Sequence, residues 1–223
     1  MRLIEYPDAE MMAIDLAQSL AGELTSALDH EDRVLFIVPG GSTPGSVFDD
    51  LCDADLDWSR VDVLASDERW VPEVHVRSNA RMIRERLLTG RASAARQLPM
   101  FVKGKAPDAV LAELEANIVP LLPAAVCLLG MGDDMHTASL FPGADNLEAA
   151  LDRHAPVLVA MNAPGAPEPR VTLSARVINQ ALAKHIVITG SSKRAALDRA
   201  RHLPPMKAPV AAVLENAVVH WSV

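Results

Sequence analysis

The stretch "VLFIVPGGSTPGSVFDDL", residues 34–51, decides how this chain is read. Val34 to Val38 are apolar without polar alternation, as in a strand covered on both faces of a parallel sheet. Gly40 and Gly41 allow close backbone approach, and Ser42 and Thr43 offer hydroxyls. Pro44 suits a first helical position with Thr43 as its cap, so a helix is expected over about 44–52. A helix N-terminus with free N–H groups is a ready anion site. No lysine follows the glycines, which excludes a Walker A loop.

The same alternation continues along the chain. Apolar, strand-like runs recur at 61–66, 125–130, 156–161, 185–190 and 209–214. A long helix is expected from an N-cap at Asp8, because Met12, Leu16, Leu20, Leu24 and Leu28 repeat at four-residue spacing. Further helices are expected over 78–88, 108–119, 175–183 and 191–200. Strands alternating with helices predict an α/β fold, a doubly wound and mainly parallel sheet with helices on both faces, Rossmann-like. Residues 1–223 read as one domain, and the Pro/Gly-rich segment 162–170 reads as a surface loop. In such sheets ligands bind at the carboxyl ends of strands.

Composition narrows the function. The net charge is −8, without a Lys/Arg-rich run and with few aromatics, which speaks against a nucleic-acid surface. No run approaches the roughly 18 apolar residues that cross a bilayer, and the N-terminus lacks a signal peptide's apolar core, so a cytoplasmic protein is expected. Cys52 and Cys127 lie far apart, with no CxxC pair, and read as small buried hydrophobes.

Two more strand-end loops carry candidate chemistry. "SDERWVP" supplies Asp67, Glu68 and Arg69, of which Arg69 can grip a phosphate. "LLGMGDDMHTASLFPG", residues 128–143, has Gly130 and Gly132 but lacks the third glycine of a dinucleotide fingerprint. It has neither the carboxylate spacing of a calcium loop nor a close histidine pair for zinc. What remains is His136 beside Asp134, and a histidine at a strand end suits general-base work. Ser139 sits in no GxSxG elbow, so no serine triad is implied.

"GMGDDMHTASLFPG" resembles the GxGxDGHTASLFPG signature of the 6-phosphogluconolactonases. "PGGSTP", "SDERWVP" with Ser78 and Asn79, "PRVTLS" and "ITGSSKR" fall in that family's order at similar spacing, so the resemblance spans nearly the whole chain. It implies hydrolysis of a sugar-phosphate lactone, 6-phospho-D-glucono-1,5-lactone, in the oxidative pentose phosphate pathway. His136 would be the general base on water, and Asp134 or Asp67 would orient its ring. Gly40, Gly41, Ser42, Thr43, Arg69, Arg170 and Lys193 would hold phosphate and sugar hydroxyls. No metal and no cofactor are implied. The only partner implied is the small-molecule sugar phosphate.

Two positions depart from the family pattern. Met135 stands where the family has Gly, and the expectation is a turn adapted to a side chain, with negative φ at Met135. Gly165 stands where the family's proline-rich loop often has Lys. The residues also admit two other readings: a sugar-phosphate isomerase/deaminase of the same fold, and a non-catalytic phosphosugar-binding regulator. "SLFP" in place of "FNEP" removes an acidic candidate that the isomerases carry.

Overall fold

The computed structural model describes residues 1–164 and 166–223. Gly165 lies outside them. In chain order the elements are β1 (Arg2–Tyr6), α1 (Ala9–Leu28), β2 (Val34–Val38), α2 (Gly45–Leu51), β3 (Val61–Ala65) and β4 (Asp67–Arg69). There follow α3 (Asn79–Arg86), β5 (Arg96–Gln97), α4 (Leu111–Ile118), β6 (Val126–Gly130), α5 (Leu147–Leu151) and β7 (Leu158–Met161). The last are β8 (Arg170–Leu173), α6 (Ala175–Asn179), β9 (Ala183–Thr189), α7 (Ser191–Ala200) and β10 (Val218–Ser222).

Seven strands form a parallel sheet in the order β1-β10-β9-β6-β2-β3-β5, flanked by helices. From β2 the chain proceeds to β3 and β5 on one side. From β6 it proceeds to β9 and β10 on the other. β2 and β6 are therefore neighbours whose connections leave in opposite directions, and the crevice beyond their carboxyl ends is the expected ligand position of a doubly wound sheet.

The core follows from the sequence pattern. β2 and β3 are buried at every position, and α1 buries Met12, Leu16, Leu20, Leu24 and Leu28 on the stripe their spacing marks out. Each large apolar side chain so buried contributes about 1.5–3 kcal/mol relative to exposure. Asp8 caps α1 by accepting a hydrogen bond from the Met11 N–H at 2.8 Å. Cys52 and Cys127 are both free and buried, and burial pushes the Cys127 thiol up to about 12.

The structure corrects several expectations. The run at 156–161 is a strand, β7, but it pairs antiparallel with β8 in a separate sheet ordered β4-β8-β7. Of segment 162–170, the described residues 162–164 and 166–169 lie between β7 and β8, and Arg170 already belongs to β8. The run at 209–214 is no strand: Pro209–Val213 form a 3-10 helix, with Pro209 at its start, where the missing N–H costs nothing. Pro209, Val210 and Val213 are buried all the same, and that burial gives the run its strand-like look. At the head of α2 the capping position belongs to Pro44, which makes no side-chain cap, and not to Thr43. The helix expected over 175–183 ends at Asn179.

Candidate active site

A cleft of about 210 Å³ opens at the β2/β6 crossover point. It gathers Gly40 to Thr43 from the loop after β2, Asp67 and Arg69 from β4, and His136 from the loop after β6. Arg170 enters from β8 and Lys193 from the first turn of α7. Residues distant in sequence meet there because both sheets present an end to the same crevice.

The loop after β6 is tied to itself. The Met135 N–H donates to the Gly132 carbonyl at 2.9 Å, and the Gly132 N–H donates to the His136 carbonyl at 3.0 Å. Inside this closed turn His136 Nδ1 lies 2.5 Å from Asp134 Oδ1. Gly132 has to be glycine: a Cβ there would lie 2.3 Å from His136 Nδ1 and 2.6 Å from Asp134 Oδ1. Burial opposes ionisation of Asp134, but bonds from the His136 ring and backbone outweigh it and hold the carboxyl below its usual range. The ring also stacks on Phe141, with centroids 4.1 Å apart. With Nδ1 committed to Asp134, Nε2 is the ring nitrogen left open among the described residues.

This turn overturns the expectation for Met135. Its φ is +67°, in the left-handed region, and Ala138 follows with φ +49°. Such a conformation costs a non-glycine residue about 1–2 kcal/mol. Two features hold it in place. The Met135 carbonyl accepts a bond from the Val210 N–H at 3.0 Å, and its side chain packs against the core. The 3-10 helix Pro209–Val213 thus buttresses the turn that aims the histidine.

The two acids offered as partners of His136 separate. Asp134 is hydrogen-bonded to the ring, whereas Asp67 is buried in another network. Its Oδ2 accepts from Ser139 Oγ at 2.5 Å and lies 3.7 Å from Arg170 Nη1. Its backbone carbonyl accepts from Asn79 Nδ2 at 2.7 Å. Burial works against the Arg170 charge and Asp67 supports it. Glu68 points away into a buried cradle, accepting from the N–H groups of Arg69, Asn79 and Ala80 at 2.7–2.8 Å and from Ser78 Oγ at 3.1 Å. Burial pushes its carboxyl up in spite of those bonds. Glu68 thereby ties β4 to the start of α3.

Arg69 and Arg170 stand opposite one another across β4 and β8. Nε of each is buried without a protein partner among the described residues, as is Asn79 Oδ1. Buried donors left open cost about 1–3 kcal/mol each unless something fills them. Together with Lys193 they make a cationic wall facing the glycine turn. The backbone of that turn presses on Asn79, since a Cβ at Gly40 would meet its amide oxygen at 2.0 Å.

A profile of glucosamine-6-phosphate isomerases/6-phosphogluconolactonase matches residues 7–221. The chain belongs to this family. It is 39% identical to the 6-phosphogluconolactonase of Pseudomonas aeruginosa, over 97% of this chain and 92% of that protein. It is 36% identical to that of Neisseria meningitidis, over 98% and 96%. In structure it is similar to a 6-phosphogluconolactonase from Shewanella baltica, with a TM-score of 0.96, 32% identity and coverage of 100% and 98%. A monomeric glucosamine-6-phosphate deaminase shares the fold, with a TM-score of 0.82 at 16% identity.

Within this family member, Ser66, Asn79 and Ala138 also line the cleft, though no sequence signal singled them out as ligand contacts. Asn79 carries the clearest missed signal. It directly follows the helix-capping Ser78, in the "SN" pair already counted in the resemblance. No helix of the described residues is long and apolar enough to cross a membrane.

Proposed function

We propose that this chain hydrolyses 6-phospho-D-glucono-1,5-lactone to 6-phosphogluconate, the lactone step of the oxidative pentose phosphate pathway, in the cytoplasm. The single observation that carries the reading is the Asp134–His136 pair, its second ring nitrogen open, set in one cleft with Arg69, Arg170 and Lys193. Close similarity to proteins named 6-phosphogluconolactonase supplies the substrate.

A δ-lactone is an activated ester, so positioning, a base and charge stabilisation suffice. His136 Nδ1–H donates to Asp134, which leaves Nε2 as the basic nitrogen. Nε2 takes a proton from a water molecule as the water oxygen attacks the lactone carbonyl carbon. The carbonyl becomes a tetrahedral oxyanion, for which the cleft's cationic donors are the available partners. As the intermediate collapses, the bond from carbon to ring oxygen breaks and the imidazolium returns its proton to that oxygen. The products are the open-chain acid and an unchanged histidine. Arg69, Arg170 and Lys193, with the backbone of Gly40 to Thr43, hold the phosphate and hydroxyls, and Asp67 holds Arg170 through charge and Ser139. Both sheets contribute to this one cleft, which supports reading residues 1–223 as one functional unit.

The test is hydrolysis of the phosphorylated lactone at a pH where spontaneous opening is slow, beside the unphosphorylated lactone. Remote phosphate binding energy positions the reacting carbonyl, so the phosphorylated substrate should be much the better. Free phosphate should inhibit competitively. Equal efficiency on both lactones, or ammonia release from glucosamine-6-phosphate in place of lactone opening, overturns the proposal.

A further inference from the structure

Away from the cleft, two more histidines are buried on neighbouring strands, His185 on β9 and His220 on β10. They form the middle of a continuous chain of contacts that begins and ends on α1. The Tyr6 hydroxyl lies 2.5 Å from Asp15 Oδ2 and 2.9 Å from His220 Nδ1. His220 Nε2 lies 3.0 Å from His185 Nδ1, and His185 Nε2 lies 2.8 Å from Glu23 Oε2.

Each of these four contacts needs one proton between its heavy atoms, because two facing lone pairs at such distances repel. With both carboxylates ionised, the tyrosine brings one proton and each neutral imidazole brings one. That makes three protons for four contacts. We infer that Asp15, Tyr6, His220, His185 and Glu23 form a binding site for one proton, separate from the cleft, with its two imidazoles buried and its carboxylate ends reaching the surface of α1; the proton leaves the cluster one unit less negative than its isolated groups.

The proton resides on His185. Its Nε2–H donates to Glu23 and its Nδ1–H to His220 Nε2. His220 then donates from Nδ1 to the Tyr6 oxygen, and the Tyr6 hydroxyl donates to Asp15. Burial and the neighbouring His185 hold His220 down to about 4, which fits its place as the neutral imidazole. Burial and the bond to Asp15 push the Tyr6 hydroxyl up, so it keeps its proton. The other groups facing the cluster agree. α1 supplies the two carboxylates, and Arg2 of β1 opposes a second positive charge at His220. Ile4 of β1 and Leu128 of β6 are apolar where they stand beside His220 and His185 in the sheet.

The bound proton joins α1 to three strands at once. Stripping it leaves one contact with facing lone pairs inside the fold. α1 also packs on α2, which starts where the glycine turn of the cleft ends.

The test reads imidazole nitrogen-15 shifts of the full chain at about pH 7, close to where a free histidine titrates. The expected pattern is His185 protonated on both nitrogens and His220 on Nδ1 alone. Tyr6→Phe and Glu23→Gln then act at opposite ends of the chain. Without the tyrosine hydroxyl, the two contacts left need only the two imidazole protons. With glutamine, an amide N–H can supply the missing donor. Each variant should show His185 singly protonated at the same pH, with turnover within about threefold of wild type. Both imidazoles singly protonated in wild type overturns the site. A doubly protonated His185 that persists in Tyr6→Phe reduces the cluster to a local pair with Glu23 and overturns it equally. Should one variant fail to fold, the other decides.

Discussion

His136 and His185 each set a ring nitrogen against a carboxylate, at 2.5 Å from Asp134 and 2.8 Å from Glu23. They differ in the second nitrogen. His185 spends it on His220, deep in the sheet, so neither ring nitrogen of His185 is left open. His136 sits at a strand end with Nε2 open to a cleft whose arginines also keep unfilled donors. The same distinction separates the cleft from Asp62, a fully buried carboxylate of β3 whose oxygens are shared between Arg33 at 2.7 Å and Arg96 at 2.6 Å. Closed polar clusters serve the fold, and polar groups left open together mark where chemistry is done.

The largest expected effect tests that distinction directly. His136→Ala should lower the turnover number at least about a hundredfold while sparing substrate affinity, as loss of a general base does. His185→Gln should leave turnover within about threefold and act on stability instead. Steady-state kinetics on both variants beside thermal unfolding would erase the comparison if the two histidines behaved alike.

Next come the two acids of the cleft. Asp134→Asn should cost roughly tenfold or more in turnover, because the ring keeps a hydrogen-bond acceptor but loses the negative charge that favours the imidazolium. Asp67→Asn should act mainly on KM, through Arg170. A turnover loss at Asp67 matching that at Asp134 would reverse their roles.

Asp62 sharpens the comparison from the closed side. Burial raises the cost of its charge, but hydrogen bonds from Arg33 and Arg96 outweigh it and hold its carboxyl below the usual range. Its folded pKa thus lies below its unfolded one. The pairing stabilises above the ordinary carboxylate range and is lost as pH falls through the lowered value. Asp62→Asn should cost about 1–3 kcal/mol at neutral pH, without effect on kcat. Denaturant titrations at descending pH should bring wild type and variant together, and a gap that widens in acid contradicts the pairing.

The smallest effect is expected at Met135→Gly. Glycine relieves the left-handed backbone strain of about 1–2 kcal/mol but adds unfolded-state freedom worth about 0.5–1 kcal/mol and forfeits the packing of the side chain. The balance should lie within about 1 kcal/mol of wild type, with activity kept. A loss beyond that would mean that the thioether contacts, not the backbone, hold the turn.

Much of this molecule was legible as sequence. The strand–glycine–helix unit at 34–51, the α1 stripe and the strand-end position of His136 all followed from periodicity and turn chemistry. What escaped depended on tertiary partners. β1 and β10 carry Glu5, His220 and Trp221 within short spans, so neither reads as a buried strand. β7 has the composition of a parallel strand, and only its pairing with β8 reveals the second sheet. The choice between Asp134 and Asp67 turned on a five-residue ring of backbone bonds that no residue type announces. The backbone of Met135 escapes the sequence for the same reason: its support comes from Val210, far along the chain, in a 3-10 helix whose residues have the composition of a strand.

The facing positions of Arg69 and Arg170 across β4 and β8 carry a consequence for how the protein lives with and without its ligand. Like charges opposite one another in a ladder repel, and Asp67 offsets only the Arg170 side of the pair. An anion seated between them would act as the missing counter-ion of the small sheet, and occupancy and folding would then be linked equilibria. At a hundredfold excess over its Kd, such a ligand adds about 2.7 kcal/mol to the stability of the whole chain. On that linkage the chain is at its least stable when the anion is scarce, and a supply of phosphosugar would raise its stability.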